Sequence, residues 1–253
     1  MPLLASNQHI FKDRLFSILY SSLKSLLPIF IFIFAVVLKF PILAYIIILL
    51  SKWRIFLVHP NFWWHNFRLN SVDLIISLSI VHFMSWANLN LAQQLLWLGF
   101  YLAWILYLKT LKRHWGRSIQ SLLAQGLGLS VIVYNIDSLG LPIALLATWL
   151  IAIFSIRHLL GNFLDRNQSE SLVYIWAISS IQLTWVLLHW QLHFWIIPRL
   201  VLIQTVLLIM LGLLIHLSHS KLLNSFLTKQ IIISGSIIIL VALLLSSFHT
   251  VAI

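Results

Sequence analysis

Long apolar blocks separated by short polar breaks set the pattern of this chain. After residue 70 the blocks fall at 72–86, 91–108, 118–134, 141–156, 172–188, 194–217 and 231–248. A membrane-spanning helix takes ~20 residues, with a tolerance of roughly 17–25. The blocks lack the two-residue alternation of barrel strands, and in lipid a segment must satisfy its own backbone groups. The pattern therefore predicts an all-α polytopic transmembrane bundle of seven spans over 71–253.

The first 70 residues read differently. In 8–24, Ile10, Phe11, Leu15, Ile18, Leu19 and Leu23 recur at helical spacing, opposite Lys12, Asp13, Ser17, Ser21 and Lys24. That is the signature of an amphipathic helix lying in the membrane interface. Two shorter blocks follow at 26–38 and 42–50, parted by Lys39-Phe40-Pro41. A nine-residue helix rises only ~14 Å, well short of a hydrocarbon core of ~30 Å. A re-entrant or short-span helical hairpin over 26–51 fits best. The alternative is two full crossings, the second extended past Lys52 by snorkelling, which makes nine spans. That alternative keeps Lys39 at the outer surface and avoids about 2.5–3.5 kcal/mol for a lysine at mid-bilayer. Beyond the hairpin, Lys52-Trp53-Arg54 and Asn61-Phe62-Trp63-Trp64-His65 form a Trp-rich basic strip at headgroup level. Ser71 is placed to cap the next helix, with Asp73 in its first turn at the positive helix end.

Charge orders these blocks in space. Every second loop is basic: Arg54 and Arg68, Lys109 to Arg117, Arg157 and Arg166, Lys221 and Lys229. The loops between them, at 88–90, 135–140, 189–193 and after Phe248, carry almost no charge. The positive-inside rule then makes the basic loops cytoplasmic and the end after Phe248 extracytoplasmic, in a plasma (inner) membrane. Of 16 lysines and arginines, only Lys39 and Arg199 escape this sorting. Trp86, Trp115, Tyr134, Trp190 and Trp195 fall near the interfaces as an aromatic belt.

Composition narrows the classes. Hydrophobic residues are 61% of the 253, charged ones 8%, and mean hydropathy is +1.02. Roughly a quarter of a soluble domain is charged, so too little polar surface exists to cover a water-facing body. The net charge of +11 lies in loops at span ends, which suits anionic headgroups rather than nucleic acid. Arg54, Arg68, Lys109, Lys112, Arg113 and Arg117 are the candidate headgroup contacts. Without cysteine there are no disulfides, thiolate metal sites or Cys nucleophile. Lys39-Phe40-Pro41 stands where a cleavage site would place small residues, so no removed leader is expected.

Candidate chemistry is sparse. Arg199, Asp137, Lys39 and Asp73 are the charged polar-site candidates, and Gln125, Gln182 and Gln204 lie nearer span centres. Amides there usually bond across helices. Asp137 and Arg199 are the only opposite charges on the outer face, so they could pair. His82, His189, His193 and His249 share the outer side, and the i, i+4 spacing of His189 and His193 would suit a metal or haem only on a continuous helix. No nucleophile elbow, phosphate loop or retinal lysine occurs. Ser234-Gly235-Ser236 lacks a partner histidine.

The stretch from Ser51-Lys52-Trp53-Arg54 to Asn70-Ser71-Val72-Asp73, and residues 185–189 with Ile197-Pro198-Arg199, resemble uncharacterised polytopic membrane proteins of candidate-phylum bacteria such as Saccharibacteria. In that pattern a Gln follows the Ile-Pro pair; here Arg199 does. The resemblance covers a small part of the chain and implies no activity.

The expectation is a membrane scaffold or assembly subunit without catalysis or cofactor, joined to a membrane-protein partner or a second copy. A transporter or channel with an outer polar site is the alternative, and a metal or haem protein using the outer histidines is a weaker third.

Overall fold

A computed structural model describes residues 26–53, 57, 59–86, 89–111, 114–161, 166–189, 193–194 and 197–244. The amphipathic helix expected at 8–24 lies outside these residues, as do Arg54, Lys112, Arg113 and His249.

The described chain is all-α apart from one two-residue ladder. In order come α1 (Leu26–Val37), α2 (Pro41–Ser51), α3 (Trp63–Met84), α4 (Leu91–Leu106), α5 (His114–Tyr134), the short α6 (Ile136–Leu139), α7 (Leu141–Leu160), α8 (Arg166–His189), α9 (Arg199–His219) and α10 (Ser225–Leu244). Among the described residues, six helical stretches are long and apolar enough to cross a membrane. They are Pro60–Met84, Leu91–Thr110, Leu141–Leu160, Ser169–Leu188, Arg199–His219 and Ser225–Leu244. The seventh expected span is α5. Its 21 residues suffice in length, but Arg117, Gln120, Ser121 and Gln125 lower its apolarity.

Contacts divide the chain into two units, one holding Met1–Trp53 with Ile80–Leu111 and the other Arg54–Ser79 with Lys112–Ile253. In the first unit, α1 closes in a π-helical turn over Ile33–Val37. Lys39 follows with φ 54°, and Phe40 N–H donates to the Phe34 carbonyl at 2.9 Å. Pro41 then opens α2, where its missing N–H costs no helical bond. Phe83 stacks on Trp97 with ring centroids 4.8 Å apart. Asn90 and Gln93 form a capping box at the start of α4.

In the second unit α5 packs against α7 and α9, α7 most extensively against α8, and α9 against α10. Small residues permit these approaches. Ala144, Thr148, Ala152 and Ser155 lie buried along one face of α7, as do Ser121, Ala124 and Gly128 along α5. A Cβ on Gly128 would stand 2.8 Å from Ile151 Cδ1 and 3.0 Å from Ile75 Cγ2. Where no hydrophobic effect separates helix from lipid, such close packing is the main attraction.

Two sequence expectations are corrected. The helix after the Trp-rich strip begins at Trp63, with a 3-10 turn over Pro60–Phe62, so Ser71 and Asp73 lie within α3. Ser71 Oγ donates to the Arg68 carbonyl at 2.8 Å instead of capping. The physical reason is that Trp64 and Phe67 pack on Phe154 of α7, which carries the helix two turns earlier than its apolar block. Secondly, the block at 194–217 does not begin as helix. His193 pairs with Pro198 and Phe194 with Ile197 in antiparallel β1 (His193–Phe194) and β2 (Ile197–Pro198). A residue before proline is pushed out of the helical region, so Pro198 fixes the start of α9 at Arg199.

Candidate functional site

One hydrogen-bonded cluster inside the second unit centres on two amides. Gln125 of α5 and Gln204 of α9 are both fully buried. Gln125 Nε2 donates to Gln204 Oε1 at 3.1 Å. Trp176 Nε1 of α8 donates to Gln125 Oε1 at 3.2 Å. Gln204 Nε2 donates to the Ser180 carbonyl and to Thr184 Oγ1, each at 3.0 Å. Thr184 Oγ1 in turn donates to the Ser180 carbonyl at 2.7 Å. Both protons of the Gln204 amide and the oxygens of both amides are thereby engaged, which fixes their orientation.

These are neutral amide, indole and hydroxyl groups. None is suited to general acid or base work near neutral pH. What they do well is tie three helices together in an apolar surrounding where an unmade hydrogen bond is costly.

A second contact lies near the basic ends of the helices. His158 Nε2 of α7 is 2.7 Å from Gln120 Oε1 of α5. Asp73 on α3 is buried, 8% exposed. It lies in the third turn of α3, away from the helix end where the sequence suggested it.

The remaining candidates disperse. Arg199 is wholly buried at the first turn of α9, whereas Asp137 is exposed in α6. Lys39 is exposed at the turn before α2. Gln182 is exposed on α8, unlike the other two amides. His82 is half-buried, its Nδ1 3.4 Å from Tyr45 Oη and its ring against Phe83 and Trp86. His189 ends α8 and His193 sits in β1, so no continuous helix joins them. Among the described residues no three histidines or carboxylates gather as a metal site. Arg68 lies over the Trp64 ring at 5.8 Å, Lys109 is exposed in the turn Leu108–Thr110, and Arg117 is half-buried in the first turn of α5.

Sequence reading missed Trp176, Ser180 and Thr184 as partners of the amides. The signal available was their i, i+4 and i, i+8 spacing with Gln182 set apart, but an apolar helix gives no polar face to orient them. It also missed the buried hydroxyls of Ser121, Thr148, Ser155 and Thr205, which make no hydrogen bond among the described residues.

A groove of roughly 100 Å³ opens between α5 and α9. Leu159 and Leu208 form its floor, exposed Ile119 and Ile209 its rim, and Trp115 and His216 one end. The rings of Trp115 and His216 lie 5.1 Å apart.

Comparison with protein-family models, curated proteins and solved structures gives no match for this chain.

Proposed function

We propose that this chain is a multi-pass plasma-membrane protein with a non-catalytic role, as a scaffold or assembly subunit for a membrane-protein partner or a second copy. The observation that carries this reading is the Gln125–Gln204 network. Its hydrogen-bonding capacity is spent on neighbouring helices, whereas a solute path needs polar groups turned to water or cargo. Pull-down from native membranes tests the reading. The expected result is a stoichiometric partner or a stable self-association; a strictly monomeric, partner-free species overturns it.

In the proposed topology the basic loops are cytoplasmic and the end after α10 is extracytoplasmic. Arg68, Lys109 and Arg117 at helix ends, with Arg54, Lys112 and Arg113, then contact anionic headgroups. The pair α1–α2 enters and leaves on the cytoplasmic side. Supporting this, α2 has 11 residues and rises only ~17 Å, short of a hydrocarbon core of roughly 30 Å.

A transporter or channel is the second reading. It is favoured by one observation: Asp73 and Arg199 are ionisable groups buried in helices α3 and α9. It predicts solute flux in proteoliposomes that Arg199→Gln or Asp73→Asn abolishes. Flux absent from the wild-type protein across a panel of small solutes removes it.

A further inference from the structure

We propose that the outward side of α8 is the seam along which a second copy of this chain docks, with the two Gln182 amides paired near its centre. This inference rests on the reading of the chain as an assembly subunit, and it names the second copy as what the chain assembles with. Along α8, Ser171, Ile175, Ile178, Gln182 and Trp185 are all exposed. Their spacing alternates between four and three residues, the repeat that keeps one stripe of a helix against a partner in a left-handed coiled coil. Val173, Ala177, Ser180 and Thr184 lie buried on the opposite side of the helix, where α8 meets α7 and α9. The seam therefore faces away from its own unit.

Gln182 selects the occupant. It lies ~9 Å inside the nearer end of the apolar stretch Ser169–Leu188 at 1.5 Å per residue, so in a bilayer its exposed amide stands at hydrocarbon depth. Helical side chains lean toward the N-terminal end of their helix, which carries this amide deeper instead of out to the headgroups. A carboxamide without partners there is costly. It is also its own complement, since it carries donor and acceptor and two facing amides can bond to each other. Copies inserted with one topology hold Gln182 at one depth, and a two-fold axis along the membrane normal sets each seam residue opposite itself. An unrelated membrane protein would need a matching polar group at that depth; a second copy has it by symmetry. The same bond already forms inside the chain, where Gln125 Nε2 donates to Gln204 Oε1 at 3.1 Å between α5 and α9. A single polar residue at such a seam position fixes register and the number of strands.

The test reconstitutes the full chain in phosphatidylcholine vesicles and reads self-association by energy transfer between donor- and acceptor-labelled copies across protein-to-lipid ratios. Wild-type chains should form dimers. Gln182→Leu should weaken their association about tenfold, whereas Gln182→Asn, which keeps an amide, should retain most of it. The chain has no cysteine, so single cysteines locate the seam. On oxidation Ile178→Cys should give a covalent dimer, and Ile237→Cys, exposed on α10, should not. Unchanged association in Gln182→Leu overturns the proposal, as does cross-linking through Ile237→Cys in place of Ile178→Cys. In either case self-assembly stands and only the α8 seam falls. A chain that stays monomeric at every ratio overturns it as well, and the pull-down from native membranes then judges the assembly role separately. Should Gln182→Leu not fold, the two cysteine variants decide.

Discussion

Single side chains carry more in this protein than their number suggests. Replacing Gln204 by leucine leaves Gln125 Nε2, the Ser180 carbonyl and Thr184 Oγ1 with fewer partners at once. Buried groups left unmade cost about 1–3 kcal/mol. Gln204→Leu should therefore lower unfolding free energy by that amount in detergent or bicelles. Adding Gln125→Leu should cost less than the sum of the two single changes, because they share one bond. Strict additivity would show that the two amides do not act together. The same residues show what sequence reading can and cannot resolve. Gln125, Gln182 and Gln204 look alike along the chain, since all three interrupt apolar blocks near their centres. Only packing separates them, because an apolar helix in lipid shows no polar stripe by which to orient it. Asp73 is the complementary case. Its place near Ser71 imitates a helix start, and the true start is fixed by rings that meet Phe154 from far away in the chain.

Whole helices were more legible than their ends. Each expected span after residue 70 has a helix at its centre, because length and hydropathy decide existence. Ends follow local chemistry. Lys39 and Lys221 adopt φ 54° and 57°, where glycine is usual. At Lys221, Leu222 N–H donates to the Leu217 carbonyl at 3.0 Å and Lys221 N–H to the Ser218 carbonyl at 3.1 Å, closing α9 with a left-handed residue. A left-handed non-glycine residue costs roughly 1–2 kcal/mol. Lys39→Gly should therefore raise the melting temperature, and Lys39→Ala should not. A rise common to both would assign the gain to charge instead of backbone. Between helices, α9 meets α10 where Met210 covers Gly235. A Cβ on Gly235 would overlap the Met210 sulfur. Gly235→Leu should cost at least about 1–3 kcal/mol by overpacking, read as lower thermal stability. Restoring stability with Met210→Ala in the same chain would identify that contact as the cause.

For the molecule as a whole, the chain's freedom from cysteine makes its topology directly measurable. Single substitutions Thr110→Cys, Ser138→Cys and Ser220→Cys sample alternate connections. An impermeant maleimide added to intact cells should label only Ser138→Cys. Lys39→Cys should stay unlabelled if α1 and α2 turn back within the membrane, and should react if they cross. Labelling of Thr110→Cys from outside would invert the orientation. The polar content of α5 has a consequence in time. Gln125 and Gln204 are 79 residues apart, so at roughly 5–20 residues per second the ribosome takes about 4–16 s to deliver the partner. Throughout that interval α5 is a segment with its main polar anchor unmet. It follows that α5 settles late, after α9 emerges, and that chains truncated before residue 199 should leave α5 open to proteases when full-length chains do not.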